Sequence, residues 1–443
     1  MALVTTFATT PITAALYPPW YQRKLEAWKR GEIDWDSGAP LLDESTDTTT
    51  DDVTQQKLES SRIKNLLIYL RLDAMPTTLA FVSLLSGRPN DATAKRHPAH
   101  STDEQQNAIT EQSEVKRPIE VHGVRLVELT ERGSTVMKVS EMDEYSAFDP
   151  VLNAFRVLGQ IYNLMVSGEV SIIPQSSYAE TLVTRASDES SDLLLLPWSE
   201  TGAMSEEQTI SKDSVRHKLA SDSYVSFVSR ALNTVQCNAA VFINKGFSGT
   251  LKQRHPQLTR RLSTVSLRSS HRDQTAAIRT DRSHHIFMPY FGGADGRVAL
   301  RLVLQLAENP EITATVIHYP GAVEQQTVTP SKEGDNNQLS LQRSIESDAA
   351  FFATIQRSIS PELESRVVLD TVASSSPTKD AIAKAQAEIG QNPKNGGDII
   401  ILARNVVRSD AGASCLGSVA DAVLDANLRA SLLVVQGRVG GGE

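Results

Sequence analysis

Three places in the chain carry residue types at spacings that could hold or receive a phosphate. Gly417-Ser418 follows the apolar run Asp398-Ile-Ile-Ile-Leu-Ala403 and opens a helix-patterned segment. A small residue and an N-cap hydroxyl there leave backbone N–H groups free for an anion, with Gly412 in the loop before them. A bare Gly-Ser pair is equally a plain N-cap. Gly292-Gly293 ends a second apolar run, Ser283 to Phe291, where two glycines let the chain turn hard from strand to helix and Asp295 can cap that helix. The third place is Arg260-Arg261-Leu262-Ser263, a pattern favoured by basophilic protein kinases. A phosphate on Ser263 would add close to two negative charges beside several arginines. The same stretch without phosphate is a solvated basic linker.

Other reactive side chains point nowhere. His284-His285 lacks partner ligands at metal spacing, and adjacent strand residues face opposite ways, so both read as structural. Cys237 and Cys415 are too few for a disulfide framework or a cysteine zinc cluster. The chain has no Gly-x-Ser-x-Gly elbow, Walker loop or His-Glu-x-x-His. The expectation is therefore no catalytic residue, no metal site and no enzyme.

The elements that must position these residues alternate. Strand patterns at 62–70, 121–129, 170–174, 192–197 and 237–244 are separated by helix patterns at 75–85, 150–167, 178–188 and 223–234. A second cycle follows. Strands at 283–291, 312–319, 366–370, 398–403 and 431–436 are separated by helices at 297–309, 348–359, 377–389 and 418–427. This is an α/β pattern with mostly parallel sheets, repeated once. Leu193–Pro197 matches Ile399–Ala403, and Ala239–Ile243 matches Leu432–Gln436. The two units span 61–245, with a disordered insertion at 87–118, and 283–437; a flexible tail, 438–443, follows. Between them, residues 246–282 form a basic linker: counting from Lys245 there are nine bases against only Asp273 and Asp281.

Across all 443 residues the formal charge is −9, which argues against a nucleic-acid binder. No run reaches 18 apolar residues. The start is unusual, however. Ala2 to Tyr17 is uncharged, and Pro18-Pro-Trp-Tyr21 then precedes Arg23, Lys24, Lys29 and Arg30. That order is the one found at the cytosolic end of a membrane span. Residues 1–36 are read as such an end with its juxtamembrane segment, and 37–60 as a polar linker.

Two resemblances follow from these segments. Ile400 to Asn405, Leu416-Gly-Ser-Val-Ala-Asp-Ala-Val-Leu424 and Leu432 to Val435 resemble the close of a universal stress protein domain. That implies two tandem Rossmann-like domains paired through edge strands. It also implies an adenine nucleotide held by Gly292, Gly293, Gly412, Gly417 and Ser418. The loop from Arg404 to Ala413 lacks that family's first glycine, and Phe291 stands where its nucleotide-binding members have aspartate.

The second resemblance rests on more segments. Arg125-Leu-Val-Glu-Leu-Thr-Glu-Arg132, Phe287 to Leu300, Asn309-Pro310, Leu194 to Trp198, Asn244 to Gly249, Leu3 to Tyr21 and Trp28 to Trp35 occur in order. Together they resemble the C-terminal cytosolic region of fungal K⁺/H⁺ antiporters of the second monovalent cation/proton antiporter family. This implies a module that regulates transport by a membrane domain and moves no ions alone. It would work as a homodimer on the cytosolic face of a membrane, the fragment itself being soluble. Anionic lipid or a basophilic kinase would meet the basic linker. The alternatives are a soluble nucleotide-binding universal stress protein and an α/β enzyme with an unrecognised site.

Overall fold

A computed structural model describes residues 62–86, 119–129, 148–200, 202–204, 221–247, 283–320, 336–389, 397–404 and 414–438. The segments read as a membrane-proximal end (1–36), polar linker (37–60) and insertion (87–118), with Ser263 and Gly412, lie outside these residues.

The first half runs β1 (Asn65–Leu70), α1 (Met75–Leu85), β2 (Glu120–Glu128), α2 (Pro150–Ile161), β3 (Met165–Ile173), α3 (Tyr178–Asp188), β4 (Leu193–Pro197), α4 (Asp222–Thr234) and β5 (Asn238–Ile243). The second half repeats it with β6 (His284–Tyr290), α5 (Gly293–Ala307), β7 (Ile312–His318), α6 (Asn336–Ser358) and the single turn α7 (Pro361–Glu364). It continues through β8 (Val367–Thr371), α8 (Pro377–Glu388), β9 (Asp398–Ala403), α9 (Ser418–Asp425) and β10 (Ala430–Gln436).

All ten strands share one sheet, in the order β3-β2-β1-β4-β5-β10-β9-β6-β7-β8. Within each half every pairing is parallel, and the order is that of a doubly wound α/β unit. The halves meet where β5 pairs antiparallel with β10, Leu432 opposite Ile243 and Val434 opposite Val241. Sheet strands covered on both faces must be apolar throughout, and β4, β9 and β10 are buried at every position. One face is covered by α1, α2, α5 and α6. The other is covered by α3, α4, α8 and α9.

The antiparallel seam has a geometric consequence. The carboxyl ends of β1–β5 and of β6–β10 lie at opposite edges of the sheet. Each half therefore has its own switch point, between β1 and β4 and between β6 and β9.

Several boundaries differ from the periodicity, and the largest difference is α6, which begins at Asn336 where the spacing predicts a helix from Asp348. The apolar spacing predicts a helix through Ser167, but α2 ends at Ile161. Asn163 adopts φ 55°, Leu164 N–H donates to Gly159 O at 2.9 Å and Asn163 N–H to Gln160 O at 3.1 Å. This left-handed cap stops the helix, and Met165 and Val166 pair in β3 instead. The helix predicted from Arg297 begins four residues earlier, at Gly293.

A second tie joins the halves at α5. Gln305, 6% exposed, accepts the Ile63 N–H at 3.0 Å and donates to Ile63 O at 2.9 Å. Beside it Arg62 pairs with Glu308 through contacts of 2.9 and 2.5 Å.

Candidate functional site

Open α/β sheets take ligands where strand order reverses, beyond the strand carboxyl ends. Both such places are occupied by the chain's own charged side chains.

In the first crevice β1 runs straight into Arg71, which is fully buried at 0% exposure. Its Nε donates to Asp73 Oδ1 at 2.9 Å and its Nη2 to Asp73 Oδ2 at 3.2 Å, a forked pair. Nη2 also reaches Ser199 Oγ at 3.0 Å, and Nη1 reaches Met204 O at 3.2 Å. The guanidinium lies 5.3 Å from the Tyr224 ring centroid, and Tyr224 OH donates to Pro197 O at 2.6 Å. Asp73 Oδ2 takes the Glu200 N–H at 3.0 Å, which fixes the loop after β4. Burial works against the Arg71 charge, but Tyr224, Tyr69 and Asp73 outweigh it and hold the group protonated.

In the second crevice β6 ends at Tyr290 and the chain turns through Gly292 (φ 86°) and Gly293 (φ 81°) into α5. Asp348, from α6, fills the turn. It accepts the Gly293 N–H at 2.8 Å, Arg297 Nε at 2.8 Å and the Tyr290 hydroxyl at 3.4 Å. A Cβ on Gly292 would lie 2.5 Å from Asp348 Oδ2. This is why the turn needs glycine both for its φ and for the close approach of a carboxylate. The helix start that could take an external anion thus has an internal one. The reading of Asp295 as the cap of α5 is corrected: Gly292 is the N-cap residue, Asp348 takes the Gly293 N–H, and Asp295 Oδ1 accepts from Gly437 N at 2.7 Å. Burial, then the Asp348 charge, push the Tyr290 phenol well above its usual range.

Gly417 and Ser418 stand at the head of α9, with Gly417 at φ 95°. The loop before them folds on Asp421, which accepts the Ser414 N–H at 2.8 Å and bonds the Ser414 hydroxyl. Arg404, at the end of β9, donates to Cys415 O at 2.9 Å and to Asn233 Oδ1 at 3.2 Å, and also holds the Gln436 side chain. Burial lowers the Arg404 value and raises the Cys415 thiol to about 11. Gly292, Gly293, Gly417 and Ser418 therefore lie at the carboxyl ends of neighbouring strands β6 and β9. Asp348, Arg71 and Asp73 had no motif to announce them, and Arg297 fell in the Phe287–Leu300 segment without a role; the only hint for Arg71 was a charge directly after an apolar strand.

Both histidines of the pair are held by side-chain contacts. His284 Nδ1 bonds Gly397 O at 2.9 Å and its ring stacks on Phe247 at 4.9 Å. His285 Nδ1 bonds Thr313 Oγ1 at 2.9 Å. No group of three or more His, Cys, Asp or Glu side chains among the described residues could hold a metal ion.

Residues 121–247, which run from β2 to four residues past β5, match the family profile described as the plant cation/H(+) antiporter domain. The likeness is to cation/proton antiporters. Cation/H(+) antiporter 18 of Arabidopsis thaliana is 21% identical over 98% of this chain and 46% of its own length. Cation/H(+) antiporter 19 of the same plant is 22% identical over 73% of this chain and 31% of its own length. The chain thus spans less than half of these antiporters. They are plant proteins, so they support the antiporter resemblance and give none to its fungal part. A universal stress protein from Archaeoglobus fulgidus DSM 4304 superposes with TM-score 0.38 at 11% identity, over 85% of this chain and 97% of that one. The α/β architecture itself rests on the strand order and the mostly parallel register. No helix among the described residues is long and apolar enough to cross a membrane.

Proposed function

We propose that this chain is a non-catalytic regulatory region of a monovalent cation/proton antiporter. The carrying observation is the match of residues 121–247 to the antiporter family profile. In this reading a membrane domain elsewhere in the longer polypeptide exchanges K⁺ for protons. The two α/β halves lie on its cytosolic side, set its rate and pair with a second copy. Asp348 supports regulation without a nucleotide phosphate at the Gly292–Gly293 turn, because its carboxylate takes the Gly293 N–H that an external anion would use.

Exchange assays in vesicles test this. The longer polypeptide should couple K⁺ movement to a pH change, and the same polypeptide without residues 62–438 should still transport, at an altered rate or pH dependence. This chain alone should transport nothing. Transport by the chain alone, or identical transport with and without it, refutes the proposal. Sequencing the transcript upstream of the Met1 codon is an independent check, since an uninterrupted frame encoding apolar spans is required. Ser263 enters as a kinase site in the same reading, and equal labelling of the parent chain and Ser263→Ala removes it.

A further inference from the structure

The carboxyl end of β7 borders the second crevice and presents one more titratable group, His318, 5% exposed. Its ring lies against Tyr290 of β6, with centroids 5.2 Å apart, and against Phe352 of α6, at 4.9 Å. Tyr290 and Phe352 stack on each other at 5.7 Å. Three rings therefore form one packed unit where α6 meets the sheet. One turn earlier on α6, Asp348 holds Gly293, Arg297 and Tyr290. Ser347 Oγ accepts from Arg297 Nη2 at 2.8 Å, and Phe351 lies 5.6 Å from the Arg297 guanidinium and 5.4 Å from that of Arg301. Among the described side chains, the docking of α6 runs from Ser347 to the buried Ile355 and includes the His318 imidazole.

We propose that His318 is an acid-sensitive latch for α6: taking a proton between Tyr290 and Phe352 frees residues 346–358 from the crevice and uncovers the Gly292–Gly293 turn. The reason is solvation. A buried imidazolium must have its charge and both N–H donors compensated. The rings packed on His318 are Tyr290 from β6 and Phe352 from α6, and the charge that acts on it is Asp348 from α6, itself paired with Arg297 of α5. From β8 its register partner is Thr371, with Asp370 opposite Ile317. Asp348 is the acid at hand, and its oxygens already serve Gly293, Arg297 and Tyr290. Burial pushes His318 below the ordinary histidine range, and the Asp348 charge offsets that only in part. Ring faces attract cations, but both rings are tilted, by 46° and 35°, and Arg297 is already the cation that Asp348 pairs with.

The sign follows from linkage. Docked, His318 is held neutral; undocked, it titrates near its ordinary value of about 6.5. The undocked state therefore binds more protons in acid. Docking is fully favourable above that ordinary value and weakens as pH falls through it, until the lower docked value is passed. The limit is tenfold per pH unit, so between pH 7.0 and 5.5 the docking equilibrium shifts by up to about eightfold. The inference stands whether or not the chain regulates a transporter.

Hydrogen exchange of the parent chain at both pH values, corrected for intrinsic rates, tests it. Peptides covering 346–358 should lose protection, by up to about eightfold, and those covering β10 should not. In His318→Phe, which keeps a ring but cannot titrate, the loss should fall below about twofold. His318→Gln replaces that variant if phenylalanine prevents folding, with the same expectation. Unchanged protection in the parent chain, an equal loss in the non-titrating variant, or an equal loss in β10 overturns the latch.

Discussion

Replacing Asp73 by alanine should destabilise the chain by about 3 kcal/mol, because it strands Arg71 in the interior. The Arg71 side chain is 0% exposed and that of Asp73 is 18% exposed. The carboxylate takes two N–H bonds from Arg71, at 2.9 and 3.2 Å, and one from the Glu200 backbone at 3.0 Å. Without it the guanidinium keeps Ser199 Oγ, Met204 O and the Tyr224 ring, and none of these carries a negative charge. Breaking a buried pair from one side costs about 3–5 kcal/mol. The partial exposure of Asp73 admits water to the vacated space, which places the loss at the lower end. The double change Arg71→Met with Asp73→Ala removes the stranded charge as well. It should return to within about 1 kcal/mol of the parent chain, since desolvation and attraction nearly offset in such pairs. Urea unfolding followed by far-ultraviolet circular dichroism measures all three. A loss below about 1 kcal/mol for Asp73→Ala, or a double variant less stable than the single one, would refute the reasoning.

Gly292→Ala should cost about 1–3 kcal/mol in the same assay, since its φ of 86° disfavours a side chain and the new Cβ meets Asp348 at 2.5 Å; an unchanged midpoint would mean that Asp348 does not fill the turn. Gln305→Leu orphans the Ile63 N–H and C=O, both buried against α5, and should cost about 2 kcal/mol; a loss within about 0.5 kcal/mol would show that this tie between the halves contributes nothing. Burial raises the Cys415 thiol to about 11 and raises Cys237 as well, so a disulfide reagent at pH 8 should modify Cys415 roughly tenfold more slowly than a free cysteine, the smaller thiolate fraction being partly offset by its greater nucleophilicity. Denaturant should abolish the difference; modification of Cys415 at the free rate in the folded chain contradicts its half-buried placement.

How much was legible depends on the range of the interactions. Leu193–Pro197 and Asp398–Ala403 announce themselves as core strands, because a strand covered on both faces has no polar side to show. The end of α2 was not legible: Tyr162 and Met165 keep helical spacing, and only the left-handed backbone at Asn163 diverts them. Gly292-Gly293 could be read as a hard turn, but not what the turn is for. The occupant is Asp348, 55 positions from Gly293 along the chain, and a carboxylate on a polar helix carries no mark of its destination. Arg71 and Asp73 are neighbours in sequence, yet their burial is decided by Ser199, Met204 and Tyr224, brought over by β4 and α4.

The sequence by itself determined the repeated alternation of strands and helices, since hydrophobic periodicity is a local property that each segment carries with it. The strand patterns left open whether the two repeats share one sheet; the edge-strand pairing implied by the universal stress protein resemblance is the β5–β10 seam. The antiparallel pairing of Ala239–Ile243 with Leu432–Gln436 is made by backbone groups every residue possesses, and nothing in either strand's side chains specifies the partner. Tertiary structure decided that each crevice is closed by an internal ion pair: Arg71 and Asp73 are local, but Ser199, Met204 and Tyr224 bury them, and Arg297 meets Asp348 only because α6 packs against α5.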